Sequence, residues 1–521
     1  MKKASDYLKS LKEKNETLQC VLNNIYSDKE LVEERCDSYI TLVEKFIERF
    51  GDSEIFLSRS PGRVNIMGRH IDHRGGFVNA AAVSRETVAA ISPRDDDIVR
   101  VTNVDEKFED FEFSISEIIS LSDETHWLGF IESEKVEQLI LRYKGHWGNY
   151  IKSAVLRVQF EYPEKKIRGM DIAIYGNIPS AAGLSSSSSL VVAIMEAVVK
   201  INCLDIDSDE FVRLCGEGEW FVGSRGGAGD HAAMKYGKTG CITKIGFCPV
   251  RKEKSVSFSN DYRIIVANSF ISANKSAGAK STFNQKVASY SFGVMYIKKN
   301  FPEQRDKIIH LRDINCGNLG VDENDILRMV MTVPERVSPQ QLIRDLPEYK
   351  NEILHIQNTH ELPECYEVRS ILLFGITECE RAKICSKHLE NNDYEALGKL
   401  MKISHNGDRV YSGEEKYDYS YPDSTMESLI SKNKRLYEIP GGYGCSVKEI
   451  DKIVDEVCEI DGVAGAEISG AGLGGCMIIL CTSSATDKVL ERINENYYHK
   501  NGYENGAYVY IPIEGSGIVE V

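Results

Sequence analysis

What this 521-residue chain lacks narrows its possibilities before any motif is read. No stretch reaches the roughly 20 apolar residues that a membrane-spanning helix needs. The first residues, Met1-Lys2-Lys3-Ala4-Ser5-Asp6, carry none of the apolar core of a secretory signal, so a cytoplasmic home is expected. Positive charge is in deficit: 63 Lys and Arg face 79 Asp and Glu, a formal net charge of −16. That argues against nucleic acid and membrane surfaces as partners, and an anionic substrate would need a local basic cluster. The fourteen cysteines form no CxxC pair and no metal-ligand spacing. Cys215, Cys458 and Cys476 sit among apolar neighbours and read as small buried hydrophobes in a reducing compartment. A Walker A loop is missing: Gly278-Ala279-Lys280-Ser281 resembles its tail but has no glycine at the required upstream position. The GxSxG elbow of serine hydrolases is missing too, because Gly183 and Ser185 lack the final glycine. There is no internal repeat, and the only low-complexity stretch is a run of serines.

What is present is organised around that run. Residues 177–199 read Asn-Ile-Pro-Ser-Ala-Ala-Gly-Leu, five serines from Ser185 to Ser189, then an apolar stretch. Leu190, Val191, Ile194 and Val198 share one helical face. The spacing predicts a strand at Asp171–Tyr175, a tight loop, and a helix whose first turn is crowded with hydroxyls. Free N–H groups and the dipole at a helix N-terminus attract anions. The stretch therefore reads as a phosphate-binding loop, against the plainer reading of a capped Ser-rich linker.

Elsewhere the pattern is mixed α and β, and a length prior of about 150 residues per domain suggests two to four units. Residues 5–50 read as helices forming a packed N-terminal cap. Ile55–Ser60, Val78–Val83 and Thr87–Ile91 read as strands, with a sharply bent polar segment, residues 61–76, between them. Arg59, Arg63, Arg69, Arg74 and Arg85 supply the basic cluster. One helix is predicted near Val136–Phe160, strands at 239–246 and 262–268, and helices at 279–300 and 366–404. Residues 404–423 read as a polar loop. A second glycine turn, residues 223–231, presents Asp230. Gly470-Ala471-Gly472-Leu473-Gly474-Gly475 matches GxGxxG, but the β-branched run after it predicts a strand, which excludes a dinucleotide fold. His70-Ile71-Asp72-His73 could bind a metal or orient sugar hydroxyls bidentately.

Three segments, in this order, resemble motifs 1, 2 and 3 of the GHMP small-molecule kinases: Pro61-Gly62-Arg63-Val64-Asn65 with Gly68, Pro179…Gly183-Leu184-Ser185-Ser186-Ser187, and Gly470…Gly475-Cys476. Phe50-Gly51, Asn268-Ser269, Phe283-Asn284 and Ser404-His405 are similar to the galactokinase branch. The likeness covers roughly residues 40–300 and 400–521. It implies an α+β, two-domain GHMP kinase fold: a helical extension at 1–50, a ribosomal-protein-S5-like ATP-binding domain at 51–240, and a ferredoxin-like domain at 241–521 with a helical insertion around 301–400. It implies ATP and Mg²⁺ as cofactors and a small-molecule sugar as partner, and leaves the oligomeric state open.

The resemblance also assigns roles. Asp230 would be the base for the sugar hydroxyl and Arg63 would polarise that hydroxyl beside the γ-phosphate. Pro179, Ala182, Gly183, Leu184, Ser185, Ser186, Ser187, Ser189, Gly472 and Gly474 would surround ATP. Ser187 would approach Mg²⁺ with either Glu217 or Glu219, since the family glutamate aligns nearest Gly218. His231 stands where the family has glutamine. Galactokinases read Gly-Glu-His-Thr-Asp-Tyr in motif 1. Here Gly68-Arg69-His70-Ile71-Asp72-His73 is similar to plant-type galacturonokinases, and Arg69 could fork a uronate carboxylate while His70, Asp72 and Gly227 keep the sugar contacts. The expected activity is phosphorylation of the anomeric hydroxyl of an acidic hexose such as galacturonate. The alternatives are a galactokinase, a kinase for another sugar or polyol, and a non-catalytic sugar sensor.

Overall fold

The computed structural model describes residues 1–179, 183–223, 226–271 and 277–520. Its larger sheet runs in the order Lys2–Lys3, Glu54–Met67, Val78–Pro93, Met170–Gly176, Ile98–Asn103 and Phe111–Ser114. Gly517–Val519 adds to the strand Glu54–Met67, and Cys241–Gly246 followed by Arg251–Ser257 extends from the start of Val78–Pro93. Pairing is antiparallel except between Ile98–Asn103 and Met170–Gly176.

Both faces of this sheet are covered, and residue alternation shows it. Leu57, Val88, Ala90 and Ala173 pack with Leu42, Val43 and Phe46 of the helix Lys29–Phe50. Their neighbours Phe56, Ala89, Ile91 and Ile172 pack with Val191, Ile194 and Val198 of the helix Ser186–Ile201. Side chains one residue apart on a strand point to opposite faces, so a two-sided strand loses its polar alternation and reads apolar throughout. The N-terminal helices thus form a full layer over the sheet. Asp28 caps the third of them by accepting from the Leu31 N–H, and Gly51, at φ +82°, ends it.

The smaller sheet is antiparallel, ordered Val463–Ile468, Cys476–Thr482, Tyr262–Asn268 and Ala507–Tyr510. Helices Lys448–Cys458 and Thr486–Ile493 cover one face. Helix Tyr394–Asp408 presses on the other, where Gly398 meets Ala464 and Gly465 so closely that an added Cβ would lie 2.2 Å from backbone atoms.

The sequence-based expectations need several corrections. Residues 61–67 continue the strand to Met67, with irregular register at Pro61/Gly62 and Asn65/Met67 replacing the bend. Val78–Pro93 is one strand, because pairing with Glu54–Met67 continues across the break near Ser84. The helix expected at Val136–Phe160 is two, Glu134–Arg142 and Gly148–Glu161, parted at Gly145 with φ +79°. The supposed loop at 404–423 begins as helix through Asp408 and continues as a short hairpin, Tyr411–Ser412 with Glu415–Lys416. The first sheet takes in residues 241–257, beyond the boundary expected at 240. Residues 301–400 share their apolar core with Val64 and Ile66 of the first long strand, so they are packed into the site region.

Candidate active site

The strand Glu54–Met67 and the helix Ser186–Ile201 are stitched together by two hydroxyls. Ser58 Oγ donates to the Ala193 carbonyl at 2.8 Å and Ser189 Oγ to the Ser60 carbonyl at 2.7 Å. Gly62 lets the strand approach the serine loop: a Cβ there would stand 3.1 Å from the Leu184 carbonyl oxygen. Arg63 is thereby aimed across the loop. Its Nε and Nη2 fork onto Asp230 Oδ1 and Oδ2 at 2.7 and 2.8 Å, and Nη1 donates to the Gly183 carbonyl at 2.5 Å. Ser185 Oγ also donates to Asp230 Oδ2. Burial alone would raise the Asp230 carboxyl; the Arg63 charge and these donors outweigh it and hold it below the ordinary carboxylate range. The side chain keeps 36% of its surface open, so an ionised acceptor faces the cleft.

Ser185 adopts left-handed angles, φ +58° and ψ +55°, and its hydroxyl goes to Asp230 instead of capping the helix it precedes. The first N–H groups of a 16-residue helix therefore carry no side-chain cap. The third glycine loop reaches the same place. A Cβ on Gly470 would lie 3.5 Å from the Gly183 carbonyl, and one on Gly183 would lie 3.5 Å from the Ser469 carbonyl. Glycines are needed where two backbones meet this closely.

The expected metal and nucleotide residues divide. Glu219 accepts from Ser188 Oγ at 3.0 Å and lies 3.4 Å from His231 Nε2, beside the helix start. Ser187 lies near the Tyr150 hydroxyl. Carboxylate and hydroxyl oxygens suit a hard divalent cation. Glu217, the other acid the sequence left open for the metal, is held by Arg157 at 2.7 Å and Arg213 at 2.8 Å. Ser189 is fully buried and holds the motif 1 strand, so it does not face a nucleotide. Gly472 backs onto Cys445, 2.5 Å from where its Cβ would be, and Gly470 is the glycine that meets the serine loop. Gly474 has φ +120°, open only to glycine. Pro179 and Leu184 line a cavity of about 240 Å³ beside the loop, and Ser186 opens the helix. Ala182 lies outside the described residues.

On the sugar side, the glycine turn and the motif 1 loop meet. Asp72 Oδ2 would be 2.4 Å from a Cβ on Gly227 and 2.9 Å from one on Gly229. His73 Nδ1 lies 3.1 Å from Asp72 Oδ1. Burial opposes ionisation of Asp72, but His73 outweighs it and brings the carboxyl to about 2. His70, at φ +61°, stacks on Tyr443 with ring centroids 4.2 Å apart and turns Nε2 toward Cys445 and Asp408. Arg69 overturns its expected role. Only 1% exposed, it pairs with Asp408 at 2.9 Å and Glu467 at 2.5 Å and donates to Ser404 Oγ. Glu378 accepts from the Gly68 and Arg69 N–H groups and pairs with Arg381. A guanidinium committed to two buried acids is closed to a substrate carboxylate. Asp408, Glu467, Glu378, Tyr443 and Lys286 were not singled out from sequence; no motif marks them, and Glu467 falls in a stretch that reads as an ordinary strand.

Three family models match this chain. The galactokinase galactose-binding signature matches residues 44–93, the GHMP kinases N terminal domain residues 149–238, and the GHMP kinases C terminal model residues 423–499. The chain resembles members of the GHMP kinase superfamily. Within it, the chain carries the galactokinase-specific signature and resembles galactokinases along nearly its whole length. It is 28% identical to the galactokinase of Fusobacterium nucleatum, covering 92% of this chain and 99% of that one. It is 28% identical to that of Clostridium perfringens strain 13, covering 90% and 96%, and 24% identical to that of Dictyostelium discoideum, covering 93% and 91%. Lactococcus lactis galactokinase, solved with galactose, shares the fold at a TM-score of 0.62 and 22% identity, covering 91% of this chain and 97% of that one.

Proposed function

We propose that this protein is an ATP-dependent sugar kinase that phosphorylates the anomeric hydroxyl of galactose or a closely related hexose. The observation that carries this reading is the fork of Arg63 onto Asp230 at the mouth of an uncapped serine-rich helix start. The galactokinase relatives favour a galactose-type sugar, and the argument for a uronate through Arg69 falls with that residue's burial. The retained Asp230 and Arg63 speak against a non-catalytic sensor.

Ser185, Ser186 and the first N–H groups of their helix would hold the nucleotide phosphates, and Glu219 with Ser187 or Ser188 would hold the metal. When bound, ATP supplies the phosphoryl group and Mg²⁺ neutralises its charge. The chain's own contribution is positional. Ionised Asp230 accepts a hydrogen bond from the sugar hydroxyl and takes its proton as transfer proceeds; its low carboxyl value suits orientation more than strong basicity. Arg63 stands between that hydroxyl and the incoming phosphate and balances charge on both. Asp72 and His70 would grip neighbouring hydroxyls. All fourteen cysteines are free, which fits a reducing cytoplasm.

A screen of ATP consumption over galactose, galacturonate, glucuronate, arabinose and inositols should show turnover with a galactose-type sugar. Asp230→Asn should lower kcat by about 10³-fold and leave ATP affinity nearly unchanged, read by calorimetry. Asp230→Asn activity within tenfold of the parent would overturn the assignment.

A further inference from the structure

Among the described residues, two cations beside the sugar-facing loop have no carboxylate partner. Arg74 follows His73; among the described residues its Nη2 donates to the Val287 carbonyl at 2.6 Å and its guanidinium lies 5.8 Å from the centroid of the Tyr290 ring. Among the described residues, Lys286 donates to the Tyr443 carbonyl and lies 5.4 Å over the Tyr443 ring. Burial depresses both groups. The tyrosines they flank are stacked, centroids 5.7 Å apart, and both are fully buried. Among the described residues, neither tyrosine hydroxyl has a hydrogen-bond partner, nor does Arg74 Nε or His73 Nε2. The acids whose fields reach this group are engaged elsewhere: Asp72 with His73, Asp408 with Arg69 and Cys445, and Glu367 with Arg336.

Four unpartnered polar atoms and two half-buried cations in one place form an arrangement unstable without an anion, because buried donors and charges are normally matched. The cluster adjoins the loop that carries Asp72: His73 lies 6.2 Å from the Tyr290 ring, and His70 stacks on Tyr443. A sugar gripped by Asp72 and His70 would extend toward it. We propose that Arg74, Lys286 and the hydroxyls of Tyr290 and Tyr443 form an anion subsite that takes an acidic group, carboxylate or phosphate, carried by the sugar. This rests on the sugar-kinase reading above and names the substrate class within it. Arg74 supplies a fork suited to either oxyanion, and Lys286 supplies a point charge.

The test uses the intact protein with galactose, galacturonate and galactose 6-phosphate. Initial rates of ATP-dependent phosphorylation and calorimetric binding at low and high salt are measured for each. One of the two acidic sugars should exceed galactose in kcat/KM by about tenfold or more, with affinity that weakens as salt rises. Which acid leads tells carboxylate from phosphate. Lys286→Gln and Arg74→Gln should lower the acidic sugar's affinity and kcat/KM by about tenfold more than galactose's. Lys286→Arg keeps the charge and should restore most of the difference, which guards against a misfolded Gln variant. Preference for galactose over both acids, or equal losses for all three sugars in the Gln variants, overturns the subsite. Turnover of galactose alone leaves the kinase reading standing without the subsite. Binding of an acidic sugar that Lys286→Gln abolishes, with no sugar phosphorylated, leaves the subsite standing without the kinase.

Discussion

Arg63 and Arg69 lie six positions apart, and each forks onto an aspartate, yet they serve opposite ends. Arg63 meets Asp230 at a cleft where the acid keeps 36% of its surface open. Arg69 meets Asp408 and Glu467 where neither acid is exposed. An open pair can be entered by a substrate and rearranged; a closed one ties segments together. Arg69 joins the motif 1 loop to the helix Tyr394–Asp408 and to the strand Val463–Ile468, clamping the two sheets' elements beneath the site.

Removing each arginine breaks the comparison most directly. Arg69→Leu leaves Asp408 and Glu467 without their counter-charge in an interior site. A loss of about 3–5 kcal/mol in unfolding free energy is expected, read by urea denaturation. Arg63→Leu should lower kcat by about 10²–10³-fold and change stability by about 1 kcal/mol or less. If Arg69→Leu keeps its stability and loses only turnover, the division between the two arginines is wrong.

The buried cluster carries a further asymmetry. Among the described residues, Glu378, Asp408 and Glu467 pair with two arginines, Arg69 and Arg381, and His70 Nε2 lies 3.5 Å from Asp408. One carboxylate is in excess. Glu467 is the one that yields: neither of its oxygens has an aligned hydrogen-bond donor, and burial pushes its carboxyl up to about 8 despite Arg69. A carboxyl raised in the folded state favours the fold fully below its ordinary range and loses that contribution as pH climbs to about 8. Glu467→Gln should therefore flatten the fall in stability between pH 5 and 8, removing a slope of at most about 1.4 kcal/mol per pH unit. Thermal melts of both proteins across that range measure it. An unchanged slope would place the excess charge elsewhere.

How far the sequence reached follows the same divide. Periodicity marked the strands, the N-terminal helices and the serine-loop helix, because each buries a regular face. The meeting of Arg63 and Asp230 was legible through the family resemblance, because both sit in the short motifs that carry it. The partners of Arg69 were not. Asp408 lies on a stretch that reads as polar loop, and Glu467 interrupts an apolar strand without a signal of its own. Only the packing of helix against strand at Gly398 and Gly465 brings those acids to one point. Arg74 was legible as one of the basic cluster, but Lys286 and the pairing of the two were not, since a charge without a partner is a statement about space.

Glu217 and Glu219 repeat the comparison on a smaller scale and sharpen it. They lie on consecutive turns, and sequence alone left the metal role open between them. Glu217 is pinned by Arg157 and Arg213, with 21% of its side chain exposed. Glu219 sits beside Ser188 and His231 at the helix start. Glu219→Gln should raise the Mg²⁺ concentration needed for half-maximal rate by about tenfold, because a neutral oxygen replaces a hard anionic ligand. Glu217→Gln should leave that concentration unmoved and lower stability by no more than about 1 kcal/mol, since its ion pairs are partly screened by solvent. Magnesium titrations of the two variants, run beside their melting curves, separate the roles. A rightward shift in Glu217→Gln equal to that in Glu219→Gln would mean the two glutamates act as one site, and that proximity to the serine-loop helix does not decide which acid serves the metal.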